Sequence, residues 1–148
     1  MKAKVALSGT RSPDRSRLIG LVDPNLLARV VAKCWSRDTS FDPDSWCPEN
    51  PAWGQCAVTA LVVQDYLGGS LLFGQVNGFQ HYLNRLPGNI EYDLTKGQFG
   101  QIDKVSRVKQ ADRAYVLSYR QTLRRYGKLK SRVEAELNAN THAERTVR

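Results

Sequence analysis

The sequence predicts an α+β fold in which helices pack on a small antiparallel sheet. An amphipathic helical pattern at residues 24–36 is followed by a second, more apolar one at residues 55–67. Three apolar-alternating runs, at residues 70–76, 79–86 and 90–95, then predict neighbouring strands. The last element is a long helical pattern at residues 115–137, and a polar link separates it from the strands.

Length and composition predict one domain. The chain has 148 residues, of which 41% are hydrophobic and 24% are charged, as in ordinary globular proteins. We expect a flexible N-terminal arm at residues 1–23, a single domain at 24–138 and a frayed tail at 139–148. No apolar run reaches the roughly 20 residues that span a bilayer. The apolar start of the chain is interrupted at residues 9–11, so we expect no membrane partner and a cytoplasmic location.

The first helix has a clear start. Asp23-Pro24 combines an N-cap acid with a proline at the first helical position. Apolar residues follow at helical spacing, namely Leu26, Leu27, Val30, Val31 and Cys34. Cys34 is therefore expected on the buried face, where it acts as an inert small hydrophobe.

A long loop and a buried helix come next. Several prolines predict a loop at residues 37–54, and Trp35, Trp46 and Trp53 are expected to hold it against the body of the protein. The following helix is apolar almost all round, which is typical of a buried helix. Gly68-Gly69 ends it.

Turn signals set the register of the strands. Asn77-Gly78 predicts a tight hairpin between the first two strands. If residues 87–89 form a three-residue loop, His81 and Asp93 share one face of the sheet, with Cα atoms roughly 7–8 Å apart. A two-residue turn would instead put them on opposite faces.

Cys56, His81 and Asp93 are the candidate catalytic residues. Cys56 begins a helix, where partial positive charge and free N–H groups favour a thiolate and can stabilise an oxyanion. His81 is the candidate base, because the second histidine, His142, lies in a polar tail. A thiol, an imidazole and a carboxylate are what nucleophilic catalysis needs. The structural alternatives are a core cysteine, a strand histidine bonded to a neighbour and a turn acid.

Three residues before Cys56 are candidates for binding the oxyanion or the substrate. Gly54 would let a substrate approach the backbone closely. Gln55 offers an amide donor. Trp53 could form the wall of a cleft, although packing against the core is the more common role of a tryptophan.

Other residues rank lower as participants in catalysis. Asn84 could orient the imidazole, but strand alternation places it on the face opposite His81. Asp65 lies about 13 Å along the helix from Cys56. The three cysteines lack CxxC spacing and cannot all pair. We therefore expect reduced thiols, no metal site and no organic cofactor.

The net charge of +8 is concentrated at the C-terminal end of the chain. Residues 104–148 carry 12 basic and 4 acidic side chains, whereas residues 24–103 carry 5 basic and 8 acidic ones. The basic residues cover much of the last helix: Arg120, Arg124, Lys128, Lys130 and Arg132. Such a surface could bind nucleic acid or an acidic protein, or it could be a solvated helix face.

Several stretches together resemble one family. They are WGQCAVTALVVQDYLGG at 53–69, HYLN at 81–84 and YDLTKGQF at 92–99. This combination resembles the YunG-like small bacterial proteins, over roughly residues 25–135. The order of a helix-start cysteine, a strand histidine and an aspartate on the next strand is more distantly similar to papain-like and transglutaminase-like cysteine hydrolases.

The second resemblance implies a papain-like fold with Cys56 as nucleophile, His81 as base and Asp93 as orienter. The sequence departs from that pattern at Gln55, since papain-like enzymes place their oxyanion glutamine several residues before the cysteine. The leading hypothesis is acyl transfer on an amide, isopeptide or ester, with a protein or peptide as substrate. It covers hydrolases, deamidases and transglutaminases. The alternative is a binding module whose basic helix contacts nucleic acid or an acidic protein.

Overall fold

A computed structural model describes residues 18–100 and 104–147, so most of the predicted N-terminal arm lies outside the described residues. Within them the α+β class is confirmed, with helices on an antiparallel sheet of strand order β3-β2-β1-β4. The elements are α1 Pro24–Cys34, α2 Cys56–Leu67, β1 Ser70–Val76, β2 Phe79–Leu86, β3 Ile90–Tyr92, β4 Ser106–Ala111, α3 Arg113–Ser118 and α4 Arg120–Thr146. Short 3-10 helices lie at Arg37–Thr39 and Lys96–Phe99.

The start of α1 confirms the predicted cap. Asp23 Oδ1 accepts hydrogen bonds from the backbone N–H groups of Asn25 at 2.8 Å and Leu26 at 3.0 Å. Proline at the first position needs no such partner, because it has no N–H. The buried face of α1 includes Cys34, as predicted.

The predicted register between β2 and β3 is also confirmed. Leu86 pairs with Ile90, which is the pairing that a three-residue loop requires. However, β3 ends at Tyr92 and does not continue to residue 95. Asp93 Oδ1 accepts from Thr95 N at 3.2 Å, so this carboxylate turns the chain away from the sheet just after the strand.

The fourth strand was not predicted. The segment Ser106–Ala111, which we interpreted as part of a polar link, pairs antiparallel with β1 at the edge of the sheet. Its side chains are exposed or half-buried, so it lacks the apolar alternation of a strand covered on one face. Gly74 makes the close approach possible, because a Cβ there would lie 2.5 Å from Val105 Cγ1.

The long C-terminal helical pattern forms two helices instead of one. The chain bends at Tyr119, whose ψ of 114° is extended and separates α3 from α4. Helix α4 then continues to Thr146, through most of the segment that we expected to be frayed. In the part of the chain that the structure describes, no helix is both long and apolar enough to cross a membrane.

Two apolar clusters cover the two faces of the sheet. Leu71 belongs to the larger cluster, which α1, α2 and α4 complete, whereas the next residue, Leu72, belongs to a smaller one with Leu83. Successive strand residues point to opposite faces, so the helices cover only one of them. By the same alternation His81 lies on the face of Leu83, beside Phe99, which packs on the smaller cluster.

Candidate active site

Cys56 is the first residue of α2, as predicted. The residue before it, Gln55, makes no side-chain capping bond to the helix, so the N–H groups of the first turn are not occupied by a cap. Cys56 and Ala57 are half-buried, whereas Val58 and the seven positions after it are almost all buried. A thiol at this position combines access from solvent with the positive end of a buried helix.

His81 and Asp93 are in direct contact. His81 Nε2 and Asp93 Oδ2 are 2.7 Å apart, and the His81 side chain is completely buried. The second carboxylate oxygen, Oδ1, accepts from the backbone N–H and the hydroxyl group of Thr95. The carboxylate is thus held from one side by Thr95 while its other oxygen fixes the orientation of the imidazole.

Cys56 also interacts with the same imidazole. Burial alone would lower the pKa of His81, but hydrogen bonding with Asp93 and Cys56 and their negative charges raise it to about 9. These two partners therefore favour the protonated imidazole. Its Nδ1 atom is buried and has no well-formed hydrogen bond among the described residues. Because Asp93 occupies Nε2, Nδ1 is the ring atom available to interact with Cys56.

Arg125 adds a positive charge near Cys56, and the sequence analysis missed it. Burial lowers the pKa of its guanidinium, whereas the charge of an ionised Cys56 raises it. The guanidinium makes only long hydrogen bonds, to Thr39 O at 3.4 Å and Thr122 Oγ1 at 3.3 Å, and no ion pair within the described residues. Its position in the helix stripe of Thr122, Tyr126 and Leu129 was the available signal that it is buried.

The structure gives Gln55 and Gly54 roles other than those predicted. The Gln55 side chain is buried and its Nε2 donates to Ser36 O at 2.9 Å, so the amide is engaged within the protein. At Gly54 the close approach is made by the chain itself, because a Cβ would lie 2.3 Å from Ser40 Oγ. Gly54 also has a φ of +73°, which favours glycine. Neither residue is open to a substrate in the way that we expected.

Trp53 belongs to an aromatic surface beside His81. Its ring centroid lies 6.1 Å from that of Phe79 and 6.2 Å from that of Phe99. Phe99 in turn packs edge-on against the His81 ring at 5.2 Å, and Phe79 is 55% exposed. Trp53 also donates from Nε1 to Asp42 Oδ2, which pins the loop as predicted. The cluster presents an apolar surface next to the catalytic candidates.

Gln98 is the second residue that the sequence analysis did not single out. It lies in the 3-10 helix that follows Asp93, and its side-chain Oε1 accepts from Gly54 N at 3.1 Å. Its backbone carbonyl accepts from Asn50 Nδ2 at 3.0 Å. The residue is 6% exposed, yet its Nε2 has no hydrogen-bond partner among the described residues.

Both lower-ranked residues have other partners. Asn84 Nδ2 donates to Ala60 O of α2 at 2.9 Å, on the sheet face opposite His81. Asp65 accepts from Arg113 Nη2 at 2.8 Å and from the Tyr126 hydroxyl at 2.5 Å. Neither contacts the Cys56 site, so both are parts of the fold.

The basic residues of α4 differ in their contacts. Arg132 forms two hydrogen bonds with Asp38, at 2.9 and 2.7 Å, and Lys128 lies 3.5 Å from the same carboxylate. Lys130 sits over the Tyr126 ring at 5.8 Å. Arg120 and Arg124 are exposed. Much of the predicted basic surface is thus involved in holding the loop and the helix together.

A cleft between α1 and α4 lies away from the candidate residues. It has a volume of about 630 Å³, is lined by Cys34, Trp35, Asp38, Arg132 and Glu136 among others, and does not include Cys56, His81 or Asp93. Among residues 18–100 and 104–147, no group of three or more His, Cys, Asp or Glu side chains is arranged to hold a metal ion.

Comparisons with known proteins identify one family. The sequence model of the family described as "YunG protein" matches residues 23–138, which confirms the predicted YunG-like resemblance. A protein of Bacillus subtilis (strain 168), described as "Uncharacterized protein YunG", is 40% identical over 70 residues. The alignment covers 47% of this chain and 57% of that relative, so the chain spans little more than half of the relative's length. No solved structure matches the chain, and the papain-like resemblance gains no support.

Proposed function

The chain belongs to the YunG family, and we propose that it is a cysteine-dependent acyl-transfer enzyme with a Cys56-His81-Asp93 triad. The observation that carries the proposal is the completely buried His81 ring, bonded through Nε2 to Asp93 at 2.7 Å, whose Nδ1 atom has no hydrogen-bond partner among the described residues. The raised pKa of His81, to which hydrogen bonding with Asp93 and Cys56 contributes, supports a protonated imidazole beside the thiol.

In the proposed reaction, Cys56 Sγ attacks the carbonyl carbon of an amide, isopeptide or ester. The carbonyl electron pair moves to the oxygen, and N–H groups of the first turn of α2 stabilise the resulting oxyanion. His81 then donates its proton to the leaving amine or alcohol as the tetrahedral intermediate collapses to a thioester. Water releases the acyl group in a hydrolase or deamidase, and an amine does so in a transglutaminase. Asp93 holds the imidazolium in place throughout.

The aromatic surface supports an apolar group near the scissile bond. Trp53, Phe79 and Phe99 are close to the imidazole, and apolar side chains there can bury part of a peptide or protein substrate. The alternative function, binding of nucleic acid or an acidic protein by α4, has less support, because Lys128 and Arg132 pair with Asp38 of the same chain. The enzyme is therefore the one function that we propose.

Alkylation by iodoacetamide at pH 6–7 tests the triad, with mass spectrometry following each cysteine separately. Cys34 is buried and Cys47 half-buried, so both serve as internal references. We expect Cys56 to react fastest and the change His81→Ala to slow it at least about tenfold. The change His142→Ala removes the other, exposed histidine and should have no effect.

The opposite result is equally clear. If Cys56 reacts as slowly as Cys34 and is indifferent to His81→Ala, no imidazole activates the thiol and the triad proposal is wrong. The exposed residues Arg120 and Arg124 of α4 would then be the place to look for a binding function.

A further inference from the structure

Three buried side-chain atoms in the part of the chain that the structure describes have no hydrogen-bond partner. They are Gln55 Oε1, His81 Nδ1 and Gln98 Nε2. Their residues are linked to Cys56 in three different ways: Gln55 precedes it in the chain, His81 interacts with it, and Gln98 bonds to Gly54, two residues before it. A buried polar atom without a partner costs free energy, so such atoms are rare in folded proteins and need an explanation. His81 Nδ1 is explained by the proposed function, in which it takes the Cys56 proton. Gln98 Nε2 is not.

The orientation of the Gln98 amide is fixed by its partner. Oε1 accepts from the backbone N–H of Gly54, so a flipped amide would bring two donors together. Nε2 belongs to the same planar group, and it therefore also lies beside the loop that leads into Cys56. The main chain of Gln98 is held as well, through Asn50 and through the 3-10 hydrogen bond from Gln98 N to Thr95 O.

Gln98 is positioned by the segment that carries the rest of the triad. Asp93 and Thr95 precede it in the chain, and its neighbour Phe99 packs on the His81 ring at 5.2 Å. The residue therefore lies between the loop before Cys56 and the strand of His81. A donor whose two N–H groups have no partner, placed beside the loop that leads to the thiol, can bind negative charge that develops there.

We infer that Gln98 Nε2 is an oxyanion-hole donor, acting together with the N–H groups at the start of α2. This inference rests on the proposed function. When Cys56 Sγ bonds to the carbonyl carbon, the carbonyl electron pair moves to the oxygen, and Gln98 Nε2–H donates to that oxygen. When the C=O bond re-forms, the leaving group departs with the proton of His81, and the Gln98 amide returns to its unpartnered state.

Two reactions of Cys56 distinguish this role from a structural one. Acetylation by p-nitrophenyl acetate passes through an oxyanion, whereas alkylation by iodoacetamide displaces iodide without forming one. The ratio of the acetylation rate constant to the alkylation rate constant therefore reports the oxyanion hole, with thiol ionisation and folding cancelled. Gln98→Met removes the donor at similar size, and Gln98→Glu keeps an acceptor for Gly54 N. The exposed Gln80→Met is the matched control.

We expect the ratio to fall about 10²- to 10³-fold in Gln98→Met and Gln98→Glu, the usual loss for one oxyanion donor, and to stay unchanged in Gln80→Met. An unchanged ratio in both Gln98 variants would show that the amide has only a structural role, either in packing or in binding a bridging water. That result would overturn the inference but leave the triad intact. If wild-type Cys56 is not acetylated at all, the proposed function fails and the Gln98 inference fails with it.

Discussion

The two ends of helix α2 carry two buried polar clusters that differ in one respect. At the C-terminal end, Asp65 accepts from Arg113 and Tyr126, and Arg113 also donates to Gln64 Oε1 at 2.9 Å and Leu61 O at 3.2 Å. This cluster has no unpartnered side-chain atom within the described residues. Near the N-terminal end, three buried side-chain atoms, Gln55 Oε1, His81 Nδ1 and Gln98 Nε2, have no partner within the same residues.

This difference distinguishes a cluster that holds the fold together from one that is a candidate site. A saturated network such as that of Asp65 holds elements together, because every charge in it is already compensated. A cluster with unpartnered donors and acceptors is less stable than a saturated one would be. Its unpartnered groups remain available to bind a reacting molecule. Substitutions at each end of α2 should therefore have different effects on stability and on Cys56 reactivity.

The largest expected effect is on stability, at the saturated end. Asp65→Asn leaves the Arg113 guanidinium without its charged partner, and we expect it to lower the free energy of unfolding by about 3–5 kcal/mol, measured by urea denaturation. The folded variant should alkylate Cys56 at the wild-type rate, because the two clusters share no contact.

The matched change at the N-terminal end of α2, Asp93→Asn, should affect the reactivity of Cys56 more than the stability of the fold. Asp93→Asn should slow alkylation of Cys56 at least about tenfold, because the imidazole loses its orienting carboxylate. Its effect on stability should be smaller than that of Asp65→Asn, since His81 can lose its proton whereas Arg113 cannot. Equal loss of Cys56 reactivity in the two variants would mean that the clusters are not separate.

The next effect concerns pH and the free energy of unfolding. The pKa of His81 is raised to about 9 in the folded chain from the ordinary 6.5, so the bound proton stabilises the fold fully below pH 6.5. That stability is lost as the pH rises from 6.5 towards 9. In the Cys56→Ser background the thiol is absent and cannot titrate. The pH window of the His81 effect also becomes narrower, because Cys56 helps to raise the pKa of His81.

The expected loss over this window is at most about 3 kcal/mol, measured by urea denaturation of Cys56→Ser at several pH values. The control is Cys56→Ser combined with His81→Gln, in which the slope between pH 6.5 and 9 should be absent. Identical slopes in the two proteins would mean that His81 holds no extra proton in the folded state.

A smaller effect is expected at Arg125. Replacement by methionine keeps most of the volume but removes the positive charge near Cys56, and we expect alkylation at low salt to slow by on the order of tenfold. The free energy of unfolding should change little, because the guanidinium makes only long hydrogen bonds and a cation–π contact with the exposed ring of Phe41 at 5.6 Å. The control is Arg124→Met, at the exposed neighbour. A loss of stability without a change in reactivity would assign Arg125 to the fold.

The sequence was sufficient for elements with local signals. The cap at Asp23, the turn at Asn77-Gly78 and the three-residue loop after β2 each depend on a few neighbouring residues, and the structure has them as predicted. The length of that loop also predicted that His81 and Asp93 lie on one face, because side chains alternate between the two faces of a strand.

What the sequence could not supply depends on distant contacts. Strand β4 is polar and exists because Gly74 allows the edge of β1 to be approached closely. Gln98 and Arg125 come from different segments, and only the folded chain brings both to the Cys56 loop. Gln55 is the reverse case. Its position next to Cys56 suggested a donor for the substrate, but in the fold its amide donates to Ser36 O.

The charge state of His81 is the most direct test of a reactive site at the open end of α2. The chain has only two histidines, so the imidazole signals can be assigned with His142→Gln and followed by NMR as a function of pH. We predict that His81 stays protonated at neutral pH and titrates near pH 9, and that its pKa drops in Cys56→Ala and in Asp93→Asn. A His81 that titrates at or below about 6.5, unaffected by Cys56→Ala, would contradict the thiolate–imidazolium pair and with it the proposed enzyme.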